Sequence, residues 1–193
     1  MYSGYMNEIK KQYLFVANNL SVDLINTEFN VRGELIDLFM SEEDVAEWLD
    51  QANIHADFAQ ELELKKLLEF RKKARLILTE IIDNESLDEG DIASLNDYLK
   101  NYKSHYQLEI SSEGYQLNNS KTYYSTEELI GFFAFELATL LASDQWKYLK
   151  RCLNPDCVLM FVDNSRSHKR RWCSMDTCGN RAKVSKHYRK VKY

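Results

Sequence analysis

The chain has 193 residues, of which 45% are hydrophobic, and a formal net charge of -5. One proline and six glycines argue against a many-stranded sandwich and against low-complexity disorder. No apolar run approaches the roughly 18 residues that a membrane-spanning helix needs, and the N-terminus shows no basic region followed by an apolar block. We therefore expect a mainly helical, cytoplasmic protein with a buried core.

The first predicted helix follows a capping signal. Ser41 and Asp44 have the spacing of a capping box, in which each side chain bonds the main chain of the other. Val45, Trp48 and Leu49 then share one helical face. Apolar residues recur at helical spacing from about residue 57 to 82, and "DNESLDEGD" interrupts the pattern. A third helix is predicted behind Asp91.

The periodicity then changes from helical to alternating. In "YQLEISSEGYQL", residues 106–117, apolar and polar residues alternate on both sides of a turn that ends in Gly114. This pattern predicts a β-hairpin. Ser125 and Glu128 form a second capping signal, which opens an apolar helix through Ala142. The fold class is therefore mainly α (α+β), a multihelical domain with one β-hairpin.

Residues 20–39 carry polar side chains among residues typical of a core. These are Asp23, Asn26, Thr27 and Arg32. One interpretation is that they line a small-molecule pocket. The other, which we favour, is that they cap helices and satisfy buried main-chain groups.

The charge is divided unevenly along the chain. Residues 146–193 contain 13 Lys or Arg and three Asp, whereas residues 1–145 contain 12 Lys or Arg and 27 Asp or Glu. Such asymmetry suggests two parts with different partners. We predict a helical domain over residues 1–145 and a separate basic module over residues 146–193.

The basic module contains every cysteine of the chain. Cys152, Cys157, Cys173 and Cys178 follow the pattern C-x4-C-x15-C-x4-C. Paired cysteines in a cytoplasmic protein indicate metal binding before disulfides. Four thiolates favour one tetrahedral zinc ion, and a site with all four positions filled is structural. Iron–sulfur ligation and redox disulfides are the alternatives, and His168 and His187 are spare candidate ligands.

The segments between the cysteines suggest the shape of the module. "VLMFVD" resembles a strand, "NSRSHK" a turn and "RRWC" a returning strand, so a hairpin is expected between the two cysteine pairs. A helix is expected after Cys178. Cysteine loop, hairpin and helix together make a treble-clef-like order.

These residues resemble a known family. "CLNPDCVLMFVDNSRSHKRRWCSMDTCGNRAK" is similar to the CGNR zinc finger, whose name spells Cys178, Gly179, Asn180 and Arg181. The segments "DLINT" and "SEEDVAEWL" resemble the helical ABATE domain that precedes this finger in bacterial proteins. The resemblance implies a stress-induced transcription regulator, with the finger binding DNA and the helical domain sensing a signal.

Basic residues of the module are the candidate contacts to nucleic acid. Clustered cations on a metal-braced helix and hairpin are the electrostatic footprint of such a protein. They are Arg166, Lys169, Arg170, Arg171, Arg181, Lys183, Lys186, Arg189 and Lys190. Arg181 has a second interpretation, in which it pairs with Asp163 or Asp176 and braces the finger.

We therefore predict a transcription regulator that binds DNA, with a helical domain that senses a ligand or stress signal. The alternative is a non-enzymatic adaptor whose finger docks structured RNA or an acidic protein. An enzyme is not expected, because the sequence has no phosphate loop or nucleophile elbow and no open metal position. A homodimer would suit two-fold DNA sites.

Overall fold

A computed structural model describes residues 13–31, 33–58, 61–120 and 122–184. About 48% of the structure is helical, so the mainly α prediction is confirmed. Within the described ranges, no helix is both long and apolar enough to cross a membrane. The longer α-helices are α1 (Leu20–Ile25), α2 (Glu42–Gln51), α3 (Leu64–Asn84), α4 (Glu89–Leu99) and α5 (Thr126–Ala142).

The strands pair two by two. They are β1 (Glu28–Val31) with β2 (Glu34–Asp37), β3 (His55–Ala56) with β6 (Thr122–Tyr123), β4 (His105–Ser111) with β5 (Gly114–Ser120), and β7 (Leu149–Arg151) with β8 (Met160–Val162). The β3–β6 pair is parallel and the others are antiparallel. The predicted hairpin over residues 106–117 is therefore confirmed as β4–β5.

Helix starts follow the capping chemistry of the sequence, with one exception. Ser41 and Asp44 form the predicted capping box of α2, and Ser125 accepts a hydrogen bond from the Glu128 amide at the start of α5. The third predicted helix begins one turn earlier than expected, because Asp88 is its N-cap and accepts from the Asp91 amide. The exception is α3, which begins at Leu64 rather than near residue 57 and has no side-chain cap at Glu63.

The core is built around α5. Leu129, Phe133 and Leu137 of this helix are fully buried, and Phe133 packs against the fully buried Trp48 of α2. Gly131 lets the chain after α4 approach closely, since a β-carbon there would lie 2.5 Å from the main chain of Asn101. The same core extends into the C-terminal part through residues of β8, where Phe161 and Val162 are fully buried.

The C-terminal module differs from the predicted hairpin. The expected return strand over residues 170–173 does not form, and β8 instead pairs with β7, which precedes the first cysteine pair. A short 3-10 helix (Asp144–Tyr148) leads into β7. A π-helical turn (Met175–Gly179) follows Cys173 and contains Cys178, and it continues as α-helix over residues 180–184. The helix expected after Cys178 is thus confirmed over residues 180–184, and the rest of its predicted length lies outside the described residues.

Candidate metal centre and nucleic-acid interface

The first two cysteines lie in the loop that joins β7 to β8. The Cys152 amide donates to the Leu159 carbonyl at 3.0 Å, which extends the β7–β8 ladder by one bond. The Cys157 amide donates to the Asn154 carbonyl at 2.9 Å and closes a tight turn. The chain therefore returns both sulfur atoms to the same end of the hairpin.

The second pair is positioned by a helical turn. Ser174 caps it by accepting from the Asp176 amide at 3.2 Å, and the Gly179 amide donates to the Ser174 carbonyl at 3.0 Å. Cys178 lies inside this turn. A β-carbon on Gly179 would lie 2.8 Å from the Met175 sulfur, closer than such contacts allow, so glycine permits the close approach of Met175.

The four sulfur atoms converge. All lie within 4.8 Å of one another. The Cys173 sulfur is 3.8 Å from that of Cys157 and 3.6 Å from that of Cys178. Zinc–sulfur bonds of about 2.3 Å in a tetrahedron separate the sulfurs by about 3.8 Å. The cluster can therefore bind a metal ion, and its spacing fits zinc.

The thiols of the cluster differ in their pKa values. Burial raises the pKa of Cys152 to about 11, whereas a hydrogen bond from Cys173 lowers the pKa of Cys157 to about 5. Donors also aim at the sulfurs: the Cys173 amide lies 3.4 Å from the Cys152 sulfur, and the Asn154 amide 3.4 Å from that of Cys178. A divalent metal would let all four ionise together.

Asp163 organises the turn between the two cysteine pairs. The side chain is fully buried, and its carboxylate accepts from the Lys150 ammonium at 2.7 Å and from the Ser165 hydroxyl at 2.6 Å. The Ser165 and Arg170 amides add two more bonds, at 3.0 and 2.8 Å. Burial alone would raise the pKa of Asp163, but these hydrogen bonds hold it far below its ordinary value.

We expect Asp163→Asn to destabilise the protein by about 2 kcal/mol, because hydrogen bonds to a charged group are lost while the shape is kept. The folded pKa lies below the ordinary value of 3.8, so the carboxylate stabilises the fold above about pH 4 and this stabilisation is lost as pH falls further. Thermal unfolding measured from pH 7 to 3 should therefore show a shallower acid loss in Asp163→Asn.

Asp156→Asn is the matched control, since Asp156 is an exposed carboxylate of the same module. It should leave the unfolding temperature and its acid dependence unchanged. If the two variants behave alike, Asp163 does not organise the turn.

Arg170 serves the fold rather than the surface. Its guanidinium donates to the Trp172 carbonyl at 3.0 Å, to the Val16 carbonyl at 2.9 Å and to the Cys173 carbonyl. It also lies 4.1 Å from the centre of the Phe161 ring, a cation–π distance. Because three of its N–H groups are bonded to carbonyls inside the protein, we expect Arg170 to contribute less to nucleic-acid contacts than the exposed candidates do.

Five of the other basic candidates for nucleic-acid contact lie within the described residues, and three lie outside them. Those described are exposed, and none makes an ion pair with a described residue: Arg166, Lys169, Arg171, Arg181 and Lys183. Lys186, Arg189 and Lys190 lie outside the described residues, as does His187. By contrast, Lys150 pairs with Asp163 and Arg151 with Asp83.

Arg181 lies beside the cysteine cluster. It lines a cavity of about 520 Å³ together with Cys157, Cys173 and Cys178. Among the described residues it pairs with neither Asp163 nor Asp176, so the proposed ionic brace is not formed there. Its guanidinium is therefore available to a partner.

The polar residues of the first helix region are used inside the protein. Asp23 accepts from the amides of Val16 and Ala17, both at 2.9 Å. Thr27 donates to the Leu24 carbonyl at 2.7 Å and accepts from the buried Arg71 at 2.7 Å. Asn26 makes two bonds to Met160 of β8. These contacts match the structural interpretation of Asp23, Asn26 and Thr27, while Arg32 lies outside the described residues.

His168 takes no part in the cysteine cluster. Its ring stacks on Tyr148 at 3.6 Å between centres, and its Nδ1 lies 2.7 Å from the Asp163 carbonyl. Sequence reasoning did not identify Lys150, Arg170 and Asn154 as supports of the cluster. The C-terminal family motif includes Asp163, but nothing in the spacing shows which cations bond it.

Two protein-family models match the chain, one over the C-terminal module and one over the helical part. The CGNR zinc finger model matches residues 148–190. The ABATE model, described as "Putative stress-induced transcription regulator", matches residues 18–144, well over half of the chain. No curated protein sequence matches the chain. The chain therefore belongs to the ABATE family and carries a CGNR zinc finger at its C-terminal end.

Proposed function

We propose that the protein is a bacterial transcription regulator that binds DNA through its zinc finger, acts in the cytoplasm and catalyses no reaction. One zinc ion, held by the four cysteines, would have a structural role. The observation that carries the proposal is the division of the finger's cations into two sets. One set is bonded inward, and the other is exposed beside the cysteine cluster.

The inward set holds the module together. Lys150 bonds the buried Asp163 carboxylate, and Arg170 bonds three carbonyl groups. The outward set makes no ion pair with a described residue, and its one aromatic contact among the described residues is that of Arg171, whose guanidinium lies 5.3 Å from the centre of the Trp172 ring. Unpaired cations on a rigid support attract the phosphate backbone without reorganisation. This arrangement supports nucleic acid as the partner.

Arg181 supports base readout within this proposal. A guanidinium presents a planar fork that matches a guanine edge or a phosphate. Arg181 is exposed at the start of the segment 180–184 and is placed next to the braced cysteine cluster. Such rigidity is what specific contacts require.

The helical domain is proposed to sense a ligand or stress signal. Asp23, Asn26 and Thr27 are already bonded internally and are not needed for this role. A separate cavity of about 770 Å³ lies against α2, and it is lined by apolar residues such as Leu49 and Ile54 together with five carboxylates. This volume is within the range of small-molecule sites.

We expect affinity for duplex DNA to fall linearly on a plot of log K_obs against log[salt], at about -0.9 per neutralised phosphate. Lys169→Ala and Lys183→Ala should weaken binding to all sequences alike and make the slope shallower by about 1 each. Arg181→Ala should cost about 1–3 kcal/mol on a sequence selected from a random pool and little on others. Fluorescence anisotropy of labelled duplexes measures all three.

Lys147→Ala is the control, because it removes the same charge from a lysine that pairs with Asp144. It should leave the salt slope unchanged. An equal slope change in all the lysine variants would mean that net charge rather than the exposed set drives binding. Tighter binding to a structured RNA of equal length would favour the adaptor alternative over the DNA regulator.

A further inference from the structure

The β4–β5 hairpin carries an apolar face that the rest of the described chain does not cover. Its side chains are between 60% and 86% exposed, far more than expected for a cluster of large apolar groups. They are Tyr106, Leu108, Ile110, Tyr115 and Leu117. Gln107, Glu109 and Gln116 on the other face are exposed as well, so the hairpin projects from the body.

The strand register places these five side chains together. Ile110 lies opposite Tyr115, and Leu108 lies opposite Leu117. Residues directly opposite in an antiparallel pair point to the same side of the sheet. The opposite side is polar, and there Asn118 donates to Glu109 at 2.8 Å. The hairpin thus has one apolar and one polar face.

An uncovered hairpin of this kind is short of stabilising contacts. A two-stranded sheet is marginal in water unless a further layer covers its apolar face. The turn is well formed, since Gly114 has a φ of +123° that suits glycine, and the strands pair over seven residues each. A further layer packed on the apolar face would stabilise the hairpin.

We propose that this face is the dimer interface, on which the hairpin of a second copy packs face to face about a two-fold axis. Residues 105–120 contain no Lys or Arg, and the apolar face carries no charge, so two copies can meet without like charges in contact. Elsewhere the helical domain is strongly acidic and would repel a second copy.

The available area fits a modest dimer. At about 120 Å² for each of the five side chains, one copy offers roughly 600 Å², and a symmetric pair would bury about 1,200 Å². That is the lower limit of stable interfaces, so we expect a dissociation constant on the order of micromolar. The inference does not depend on the finger binding DNA, although a dimer would present two fingers to a two-fold site.

The test is sedimentation equilibrium of the full chain and two matched variants. Leu117→Lys and Gln116→Lys add the same charge to neighbouring exposed positions of β5, on opposite faces. We expect a reversible monomer–dimer equilibrium in which Leu117→Lys weakens association by at least about 100-fold, because two lysines would be buried together. Gln116→Lys should change it by less than about threefold. Equal thermal unfolding of the two monomers would show that both fold.

Several results would overturn the proposal. A native chain that stays monomeric at high concentration would show that a second copy does not pack on the apolar face. Open-ended assembly would indicate pairing through the strand edges instead. If Leu117→Lys and Gln116→Lys change the dissociation constant of the dimer equally, the dimer interface does not involve the apolar face. A monomer that sediments with phosphatidylcholine vesicles only when Leu117 is intact would identify a lipid surface as the occupant.

Discussion

Replacing Cys173 by serine is expected to abolish zinc binding and unfold the finger. Cys173 is the central ligand of the cluster: its sulfur lies within 3.8 Å of two others, and its amide donates to a third. Zinc contributes about 10–16 kcal/mol to the folding of comparable peptides at neutral pH. This is comparable to the whole stability of a typical domain, about 5–15 kcal/mol.

Elemental analysis of the purified native protein should give about one zinc per chain, and Cys173→Ser should give close to none. Limited proteolysis should then cut Cys173→Ser first within residues 149–184. Thr177→Ala is the control, since Thr177 is exposed within the same turn and its loss should leave zinc content unchanged. A metal-free native protein with a protease-resistant finger would contradict the zinc site.

The cluster was predictable because residue type and spacing alone carry the signal. Four cysteines at regular spacing leave few alternatives to a metal. Helix caps at Ser41 and Ser125 were predictable for the same reason, since donor and acceptor are three residues apart. In each cap, and within each cysteine pair, the partners lie three to five residues apart, whereas the repeat of the same interval is what indicates that the two pairs share one site.

The rest could not be read from the sequence, because it depends on distant partners. Arg170 and Arg171 are adjacent and chemically identical, yet one bonds the Val16 carbonyl and the other is exposed. The continuous apolar run of "VLMFVD" predicts a strand but does not fix its partner. β8 pairs with β7 rather than with the residues before Cys173.

The predicted division into residues 1–145 and 146–193 stays a prediction, but the two parts are not mechanically separate. β8 has β7 on one side, and the Val162 amide donates to the Ala17 carbonyl at 2.9 Å. Arg75 of α3 donates to the Val158 carbonyl at 3.3 Å. These bonds join the first cysteine loop and β8 to the helical domain.

Asn26 is the residue on which this coupling depends most. It is only 3% exposed, and its side chain donates to the Met160 carbonyl at 2.8 Å and accepts from the Met160 amide at 3.0 Å. The Asn26 side-chain amide thus makes the two hydrogen bonds to Met160 that a neighbouring strand would otherwise make on this edge of β8. Asn26→Leu keeps the volume but leaves both main-chain groups of Met160 buried without partners, at about 1–3 kcal/mol for each group.

We expect Asn26→Leu to cost about 3 kcal/mol, which lowers the unfolding temperature by about 6–12 °C in a chain of this size. The same substitution should speed zinc release to a chelator, because β8 follows the loop that holds Cys152 and Cys157. Circular dichroism follows the helices, and a zinc-sensitive dye follows the finger. Asn96→Leu, on the exposed side of α4, should change neither. If Asn26→Leu lowers helix stability yet leaves zinc release unaltered, the two parts unfold independently and β8 does not couple them.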